Sequence, residues 1–273
     1  MFTLSGGFTE NININLKNVS ETLLVPLYVR YVESIKKNPY FIDRSAIEIV
    51  ENSDYDFMTK VNNKMNINGC IAKTIIFYRK VSKYIKENPE CTVINLGCGL
   101  DDRFNRVDNG KIRWYNIDIK PVIDLRDKLI EKKDRYINIA SSILESSYLD
   151  KIENKENVLV IAEGLLMYFT EDEVIEIFNM IIDSSEKCTF IVELMSKWMV
   201  EHQNIHDTVK TMAINFKWGI KDSKDVTDII PRIKLYGDYN ITPLMKKLMP
   251  FIMTLASPFM YNKNDRVACF IKK

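Results

Sequence analysis

The chain has 273 residues, of which 27% are charged, and its formal net charge is +1. This balance gives no overall field for nucleic acid or an anionic membrane, and the length permits one enlarged α/β domain with a large core. The five cysteines are scattered without CxxC spacing, which gives no support to zinc, redox or disulfide sites. Because the N-terminus shows no cleavable signal pattern, we expect a cytoplasmic protein.

The N-terminal part of the chain predicts helices. Pro26 suits the first turn of a helix, and Leu27, Tyr31 and Ile35 follow it at a spacing that predicts one buried face. A second helix is predicted to begin after an N-cap at Asp43.

Short apolar runs that are typical of buried strands alternate with helical segments in the rest of the chain. Pro121 favours the start of one helix, and Thr170 with Glu173 forms the capping-box signature of another. This alternation indicates a parallel α/β sheet. The helix before the first strand is predicted over 69–87, and the strands are predicted at 93–96, 113–117, 136–140, 158–162, 189–192, 233–236 and 267–271.

We expect one Rossmann-type domain with a mostly parallel seven-stranded sheet and helices on both faces. The most apolar stretch, 248–261, is too short to span a bilayer, so it is predicted to be a buried helix or a lid, with peripheral membrane contact as an alternative. The predicted parts are an N-terminal helical cap at 1–68, a cofactor-binding core at 69–193, a substrate-side insertion at 194–230, and closing strands with a helix at 231–273.

The stretch after the first predicted strand carries the strongest functional signal. Gly97 and Gly99 flank Cys98, so the chain can turn tightly and let a ligand approach its backbone. Asp101 and Asp102 follow, and acidic residues favour the first turn of a helix. Two carboxylates there would repel the pyrophosphate of a dinucleotide by several kcal/mol at an effective dielectric constant of ~20. A nucleoside with a cationic centre avoids this repulsion, and S-adenosylmethionine is such a ligand.

Two further carboxylates end predicted strands. Asp118 lies about twenty residues past Gly97, where a carboxylate can accept hydrogen bonds from both ribose hydroxyls, and we expect it to be solvated in the unliganded protein. Glu163 ends the fourth strand beside the predicted cleft and suits a cationic amino group or a sulfonium. A surface aspartate before a turn and a helix-cap glutamate remain the alternatives.

The histidines and two cations carry weaker signals. His202 and His206 are the two histidines of the chain, and no H-E-x-x-H motif or nearby cysteine accompanies them, so no metal site is predicted. His206, which Asp207 follows, is a candidate base on the substrate side. Arg30 and Lys73 are interpreted as cations on solvated helix faces.

Several short motifs, each of them weak alone, together form a pattern specific enough to compare with a known family. They are Asn95-Leu96-Gly97-Cys98-Gly99-Leu100-Asp101-Asp102-Arg103, Trp114-Tyr115-Asn116-Ile117-Asp118 with Pro121, Ala140-Ser141-Ser142, Ala162-Glu163-Gly164-Leu165-Leu166-Met167-Tyr168, and Phe216-Lys217-Trp218-Gly219-Ile220. From about Thr22 to its C-terminus, the chain resembles the leucine carboxyl methyltransferase family of class I S-adenosylmethionine-dependent O-methyltransferases. It is most similar to the bacterial branch related to polyketide O-methyltransferases.

The resemblance implies a role for each matching position. Lys73 stands where the family usually has an arginine that binds the cofactor carboxylate, and Asp102 replaces a usual threonine. Ser142 and Glu145 are the nearest substitutes for the family's adenine-contacting acid. The candidate cofactor contacts are Lys73, Gly97, Cys98, Gly99, Asp102, Arg103, Asp118, Ile119, Ser142, Glu145, Glu163 and Gly164, and the candidate catalytic residues are His206 and Tyr168.

We therefore expect a Rossmann-like class I methyltransferase fold and methyl transfer from S-adenosylmethionine to a carboxylate or hydroxyl oxygen of a small molecule, such as a polyketide-like metabolite. Nucleic acid is not an expected partner, and neither is stable membrane insertion. A non-catalytic S-adenosylmethionine-binding protein, a methyltransferase acting on a protein carboxylate, and a nicotinamide-dependent oxidoreductase remain the alternatives.

Overall fold

One seven-stranded sheet organises the computed structural model, which describes residues 21–60, 64–203 and 215–273. The strands are β1 (Thr92–Leu96), β2 (Arg113–Asp118), β3 (Tyr136–Ala140), β4 (Asn157–Ala162), β5 (Lys187–Leu194), β6 (Ile233–Asn240) and β7 (Arg266–Lys272). Their order is β3-β2-β1-β4-β5-β7-β6. Neighbours from β3 to β5 pair in parallel, whereas β7 is antiparallel to both β5 and β6. Every predicted strand is present, and β6 extends beyond its predicted end.

Helices surround this sheet in the described parts of the chain. They are α1 (Leu24–Ser34), α2 (Arg44–Glu51), α3 (Phe57–Lys60), α4 (Lys64–Glu87), α5 (Phe104–Val107), α6 (Lys120–Leu129), α7 (Glu171–Ser184), α8 (Lys197–Glu201), α9 (Asp225–Ile229), α10 (Thr242–Leu248) and α11 (Pro250–Met260). The predicted capping box of α7 is confirmed, because Thr170 and Glu173 exchange both hydrogen bonds. Helix α4 begins earlier than the predicted residue 69.

Two apolar cores lie on opposite faces of the sheet. β1 is buried at every position, as expected for a central parallel strand. Its side chains alternate between the cores: Val93 packs with α1, α2 and α4, whereas Ile94 packs with α7. Helices therefore cover both faces, and the predicted Rossmann-like class I methyltransferase fold is confirmed.

The N-terminal helices are tied to the centre of the fold by buried charges. Asp43 caps α2 as predicted, accepting a hydrogen bond from the backbone N–H of Ala46 at 3.0 Å. Its other oxygen lies 2.8 Å from Arg30 Nε and 2.7 Å from Arg106 Nη1. The interpretation of Arg30 as a solvated cation is thus wrong: the side chain is buried. Ile35 was expected on the buried face, but α1 ends at Ser34 and Ile35 is exposed.

A helical hairpin, α10 followed by α11, connects β6 to β7. It was expected to be a buried helix or a lid, and the first of these expectations is wrong. Met253 is the one buried residue of α11, while Phe251, Leu255 and Phe259 are exposed. No helix in residues 21–60, 64–203 and 215–273 has the length and the apolar character needed to cross a bilayer.

Candidate functional site

The candidate site forms where the order of the strands reverses. β1 pairs with β2 on one side and with β4 on the other, so the loops after β1 and β4 meet at the carboxyl edge of the sheet, where α/β folds bind ligands. Gly97 has φ +56°, and a Cβ there would lie 2.6 Å from Leu165 Cδ1 in the loop after β4. Gly99 has φ +50°, and its Cβ would lie 2.7 Å from Leu23 Cδ1. The left-handed backbone therefore favours glycine at both positions, and at Gly97 the packing of Leu165 favours it as well.

Asp118 connects the glycine turn to the end of β2. Its carboxylate accepts hydrogen bonds from the backbone N–H groups of Gly99 at 2.9 Å and of Ile119 at 2.8 Å. Burial raises the pKa of Asp118, while these two hydrogen bonds oppose the shift. The side chain is half-buried rather than solvated, so the expectation of a free carboxylate is wrong. The carboxylate lies beside the glycine turn, and its contact with the ribose stays a prediction.

Arg126 on α6 supports the glycine turn through hydrogen bonds to its backbone, a role that was not predicted. Its guanidinium donates to the carbonyl oxygens of Gly99 at 2.8 Å and of Asp101 at 2.6 Å. Its Nε also donates to Asn138 Oδ1 at 3.1 Å. Asn138 is the last of three hydrogen-bonded asparagines, Asn95, Asn116 and Asn138, on β1, β2 and β3. A signal was present in the sequence, because Arg126 lies within the apolar stripe of α6, between Leu125 and Leu129.

Asp101 and Asp102 do not form the first turn of a helix, since α5 begins at Phe104. Burial would raise the pKa of Asp101, but the charges of Arg103 and Arg106 outweigh burial and lower the pKa to about 2. The proposed repulsion of a diphosphate by two free carboxylates is therefore wrong, because arginines compensate the first of them.

Asp102 is buried on the far side of the loop, where its partners come from three elements. Its carboxylate accepts hydrogen bonds from Ser45 Oγ at 2.5 Å, from Asn105 Nδ2 at 2.6 Å and from Tyr136 Oη at 3.1 Å. Burial raises its pKa. The structure thus does not bring Asp102 to the carboxylates of Asp118 and Glu163.

Glu163, at the end of β4, lies against the loop that follows β1. One oxygen accepts a hydrogen bond from Arg103 Nη2, and the other from Thr74 Oγ1 at 3.2 Å. Arg103 is buried, and its Nε and Nη1 find no hydrogen-bond acceptor among the described residues. Nη1 nevertheless lies 3.5 Å from Asp101 Oδ2, so two carboxylates, Asp101 and Glu163, compensate the charge of this guanidinium. A buried donor that still lacks a hydrogen bond beside a glycine turn suits an anionic group of a ligand, such as the carboxylate of S-adenosylmethionine.

A second group of charges lies next to Glu163. Lys73 Nζ contacts both oxygens of Glu193, each at 2.9 Å, and its side chain is 13% exposed. The interpretation of Lys73 as a solvated cation is therefore wrong. Burial would lower the pKa of Lys73, but Glu193 reverses this effect and raises the pKa. Glu193 also accepts a hydrogen bond from the backbone N–H of Gly164 at 2.5 Å.

Asp265 completes this group and was not foreseen. It precedes β7 and accepts a hydrogen bond from the backbone N–H of Ser196 at 3.3 Å. Burial, followed by the charge of Glu193, raises its pKa to about 7. Nothing in the sequence indicated this proximity, because Lys73, Glu193 and Asp265 come from three distant segments.

The remaining predicted cofactor contacts lie along the same edge of the sheet. Burial raises the pKa of the Cys98 thiol to about 12, and its backbone N–H donates to the carbonyl of Ile117 at 3.3 Å, which ties the glycine turn to β2. Ile119 exposes its side chain beside Asp118. Ser142, in the loop after β3, accepts a hydrogen bond from the backbone N–H of Leu144 at 3.3 Å, and Glu145 is exposed nearby.

Of the two predicted catalytic residues, the structure describes Tyr168 but not His206. Tyr168 follows β4, and its ring centroid lies 5.6 Å from that of Phe216. Burial and then the charge of Glu193 raise the pKa of Tyr168, so the phenol is protonated at neutral pH. His206 lies outside the described residues. His202 stacks on Trp198 at 4.5 Å, and the described residues contain no group of three or more His, Cys, Asp or Glu side chains placed to hold a metal ion.

The fold and this edge of the sheet together define a class I S-adenosylmethionine-dependent methyltransferase. The model of one family, leucine carboxyl methyltransferase, matches residues 24–182. The chain belongs to the leucine carboxyl methyltransferase family, and the resemblance inferred from its motifs is confirmed.

Named relatives agree with this membership. The tetracenomycin polyketide synthesis O-methyltransferase TcmP of Streptomyces glaucescens is 26% identical over 231 residues, which cover 84% of this chain and 85% of the relative. The S-adenosyl-L-methionine-dependent methyltransferase dpfgK of Gibberella zeae is 22% identical over 255 residues, which cover 85% of each chain. The predictions of an O-methyltransferase and of S-adenosylmethionine as its cofactor are confirmed.

A solved structure supports the fold. Magnesium protoporphyrin IX methyltransferase (ChlM) of Synechocystis PCC 6803, determined with bound S-adenosylhomocysteine, superimposes with a TM-score of 0.50 at 9% identity. The match covers 77% of this chain and 88% of that one.

Proposed function

We propose that this enzyme methylates a carboxylate or an acidic hydroxyl oxygen of a small, polyketide-like molecule. The observation that carries the proposal is the convergence of the glycine turn, Asp118 and Glu163 at one edge of the sheet, with the Tyr168–Phe216 pair following β4. The polyketide O-methyltransferase among the relatives supports this class of acceptor.

Each part of this edge has a proposed task in holding the cofactor. Asp118 accepts hydrogen bonds from the ribose hydroxyls, and the backbone of Gly97 to Gly99 lies against the methionine part. Arg103, whose Nε and Nη1 have no hydrogen-bond acceptor among the described residues, would bind the cofactor carboxylate, assisted by Lys73. Ile119 forms an apolar wall for the adenine ring, and Ser142 and Glu145 lie close to its polar edge.

When bound, S-adenosylmethionine supplies a methyl group on a positively charged sulfur. The acceptor oxygen forms a bond to this methyl carbon while the carbon–sulfur bond breaks and its electron pair stays on sulfur. Glu163, which Arg103 and Thr74 hold in place, would stabilise the positive charge of the bound cofactor. Alignment of the oxygen, carbon and sulfur atoms alone contributes up to about 7–11 kcal/mol to such a reaction.

The acceptor decides whether a base is needed. A carboxylate is ionised at neutral pH, whereas a phenol with a pKa near ~10 benefits from a base. Tyr168 is protonated at neutral pH and therefore donates a hydrogen bond to the acceptor rather than removing its proton. His206 remains the candidate base for a hydroxyl acceptor.

The proposal is tested by incubating the enzyme with S-adenosylmethionine and a panel of aromatic acids and phenols, followed by mass spectrometry. We expect a methyl ester or a methyl ether and a matching amount of S-adenosylhomocysteine. Replacing His206 by Ala should reduce turnover modestly for a carboxylate and by orders of magnitude for a phenol. Methylation of a protein carboxylate, with no product from the small molecules, would contradict the proposed acceptor class.

A further inference from the structure

Helix α11 presents an unusual apolar surface. Phe251 is 90% exposed, Leu255 80% and Phe259 76%, and their i, i+4, i+8 spacing places them in one stripe of the helix. Ile252, beside Phe251, and Tyr261, just after the helix, are exposed as well. In the described chain, five of the eleven exposed large hydrophobic side chains belong to this single segment.

The opposite face of α11 is already packed on the core. Met253 is buried there, and Met249, Ala256 and Met260 pack partly against the same apolar cluster. The helix therefore has apolar side chains on its covered side and on its exposed side, an arrangement typical of a surface that meets a further apolar phase.

The charged residues of the chain segment that carries this stripe have one sign. Residues 239–264 contain no Asp or Glu and carry three lysines, Lys246, Lys247 and Lys263. Lys246 and Lys247 are exposed in the last turn of α10. The acids at either end of the segment are engaged elsewhere, since Asp238 pairs with Arg266 at 2.8 Å and Asp265 belongs to the buried group around Glu193.

We propose that the exposed stripe of α11, with Lys246 and Lys247, docks the enzyme onto the surface of an anionic lipid bilayer. An apolar stripe inserts at the boundary between headgroups and acyl chains, and neighbouring lysines are attracted to anionic lipids. Tyr261, at the end of the stripe, suits the headgroup level. A purely apolar partner would not explain why this segment carries lysines and no acidic residue.

Docking would also orient the site. The α10–α11 hairpin joins the end of β6 to the start of β7, and the carbonyl of Lys263 accepts a hydrogen bond from Ser196 Oγ at 2.6 Å, just after β5. The hairpin thus lies at the same edge of the sheet as the glycine turn. An enzyme bound through α11 faces the lipid with the edge that carries its site.

Co-sedimentation with vesicles tests the proposal and needs neither cofactor nor acceptor. Vesicles of phosphatidylcholine with phosphatidylglycerol should bind the protein, and vesicles of phosphatidylcholine alone should bind it weakly. The triple variant Phe251→Glu, Leu255→Glu, Phe259→Glu should bind at least ~10-fold more weakly. Lys246→Gln with Lys247→Gln should weaken binding to the anionic vesicles by roughly 25-fold, at about fivefold per lysine, and should abolish most of the salt dependence.

A matched pair separates this surface from general exposure. Ile252 and Ile42 are both 54% exposed, so Ile252→Glu should weaken vesicle binding while Ile42→Glu should not. Thermal unfolding and calorimetry with S-adenosylhomocysteine should be unchanged in every variant, which shows that the fold and the site are intact.

Three results would overturn the proposal. One is a wild-type protein that binds neither kind of vesicle. Another is a dimer in sedimentation velocity that the triple variant converts to a monomer without any vesicle binding, which would make the stripe an interface between two copies. The third is a triple variant that changes only the KM for the acceptor, which would make α11 a lid.

Discussion

Replacing Asp118 by Asn tests the geometry on which the cofactor site depends. The carboxylate accepts two backbone hydrogen bonds, from Gly99 at 2.9 Å and from Ile119 at 2.8 Å. An asparagine keeps the size of the side chain, but its amide nitrogen cannot accept, so one of these donors loses its partner. Losing a hydrogen bond to a charged acceptor costs about 1.5–3 kcal/mol.

Two measurements follow from this cost. The unliganded Asp118→Asn protein should unfold at a temperature lower by roughly 3–12 °C, at about 2–4 °C per kcal/mol for a domain approaching this size. Its affinity for S-adenosylmethionine, measured by calorimetry, should fall at least ~10-fold, because about 1.4 kcal/mol is one decade. A 2′-deoxy cofactor should show a smaller difference between the variant and the wild type.

Asp124→Asn is the matched control, since this exposed carboxylate pairs with Lys120 at 2.8 Å on the surface of α6. Surface pairs contribute little, so its melting temperature and its affinity should stay at wild-type values. Normal cofactor affinity in Asp118→Asn would refute the assignment of the ribose site. An unchanged melting temperature would refute the stabilising role of the two backbone hydrogen bonds from Gly99 and Ile119.

Three further outcomes are expected. Gly97→Ala should lower the free energy of unfolding in urea by several kcal/mol, because it combines a left-handed backbone with a contact of 2.6 Å to Leu165. Gly110→Ala, at φ +81° with open space around its Cβ, should lower it by only about 1–2 kcal/mol. Equal losses in the two variants would exclude the contact with Leu165. Lys73→Met should destabilise the protein by roughly 3–5 kcal/mol, since it leaves Glu193 buried without its cation, and a neutral effect would mean that Glu193 is protonated. Asp265 has a raised pKa in the folded protein, so the folded state holds a proton that the unfolded state releases. Stability should therefore fall as pH rises from about 4 to 7, by at most ~1.4 kcal/mol per pH unit. Asp265→Asn should remove this slope in urea titrations, and identical slopes in both proteins would contradict it.

The sheet was predictable because its strands carry their own signal. Parallel strands covered on both faces are continuous apolar runs, and the predicted third strand, Tyr136–Ala140, has the bounds that the structure shows. Helix α7 was equally predictable, because its capping box is a local pattern. The end of α1 was missed, since the apolar spacing runs on to Ile35 although the helix does not.

The candidate site was predictable only where one short segment defines a position. The glycine turn and Asp118 follow directly from strand ends, so their proximity could be inferred from the fold. Arg30 and Lys73 were interpreted as solvated because a cation on a helix has no local signal for a distant partner. Lys73 is 120 residues from Glu193, and Arg30 is 70 residues from the Leu100 carbonyl that it binds. Such pairs can be identified only from the folded structure.

The buried group of Arg30, Asp43 and Arg106 has a consequence for how the enzyme can be rebuilt. Two of its members come from the N-terminal helices and the third from α5, directly after the glycine turn. A chimera that takes its first helices from a relative would leave an uncompensated charge in the interior unless the donor carries the same partners, at a cost of about 3–5 kcal/mol. Exchange of the N-terminal helices to alter acceptor choice therefore requires that these three positions travel together.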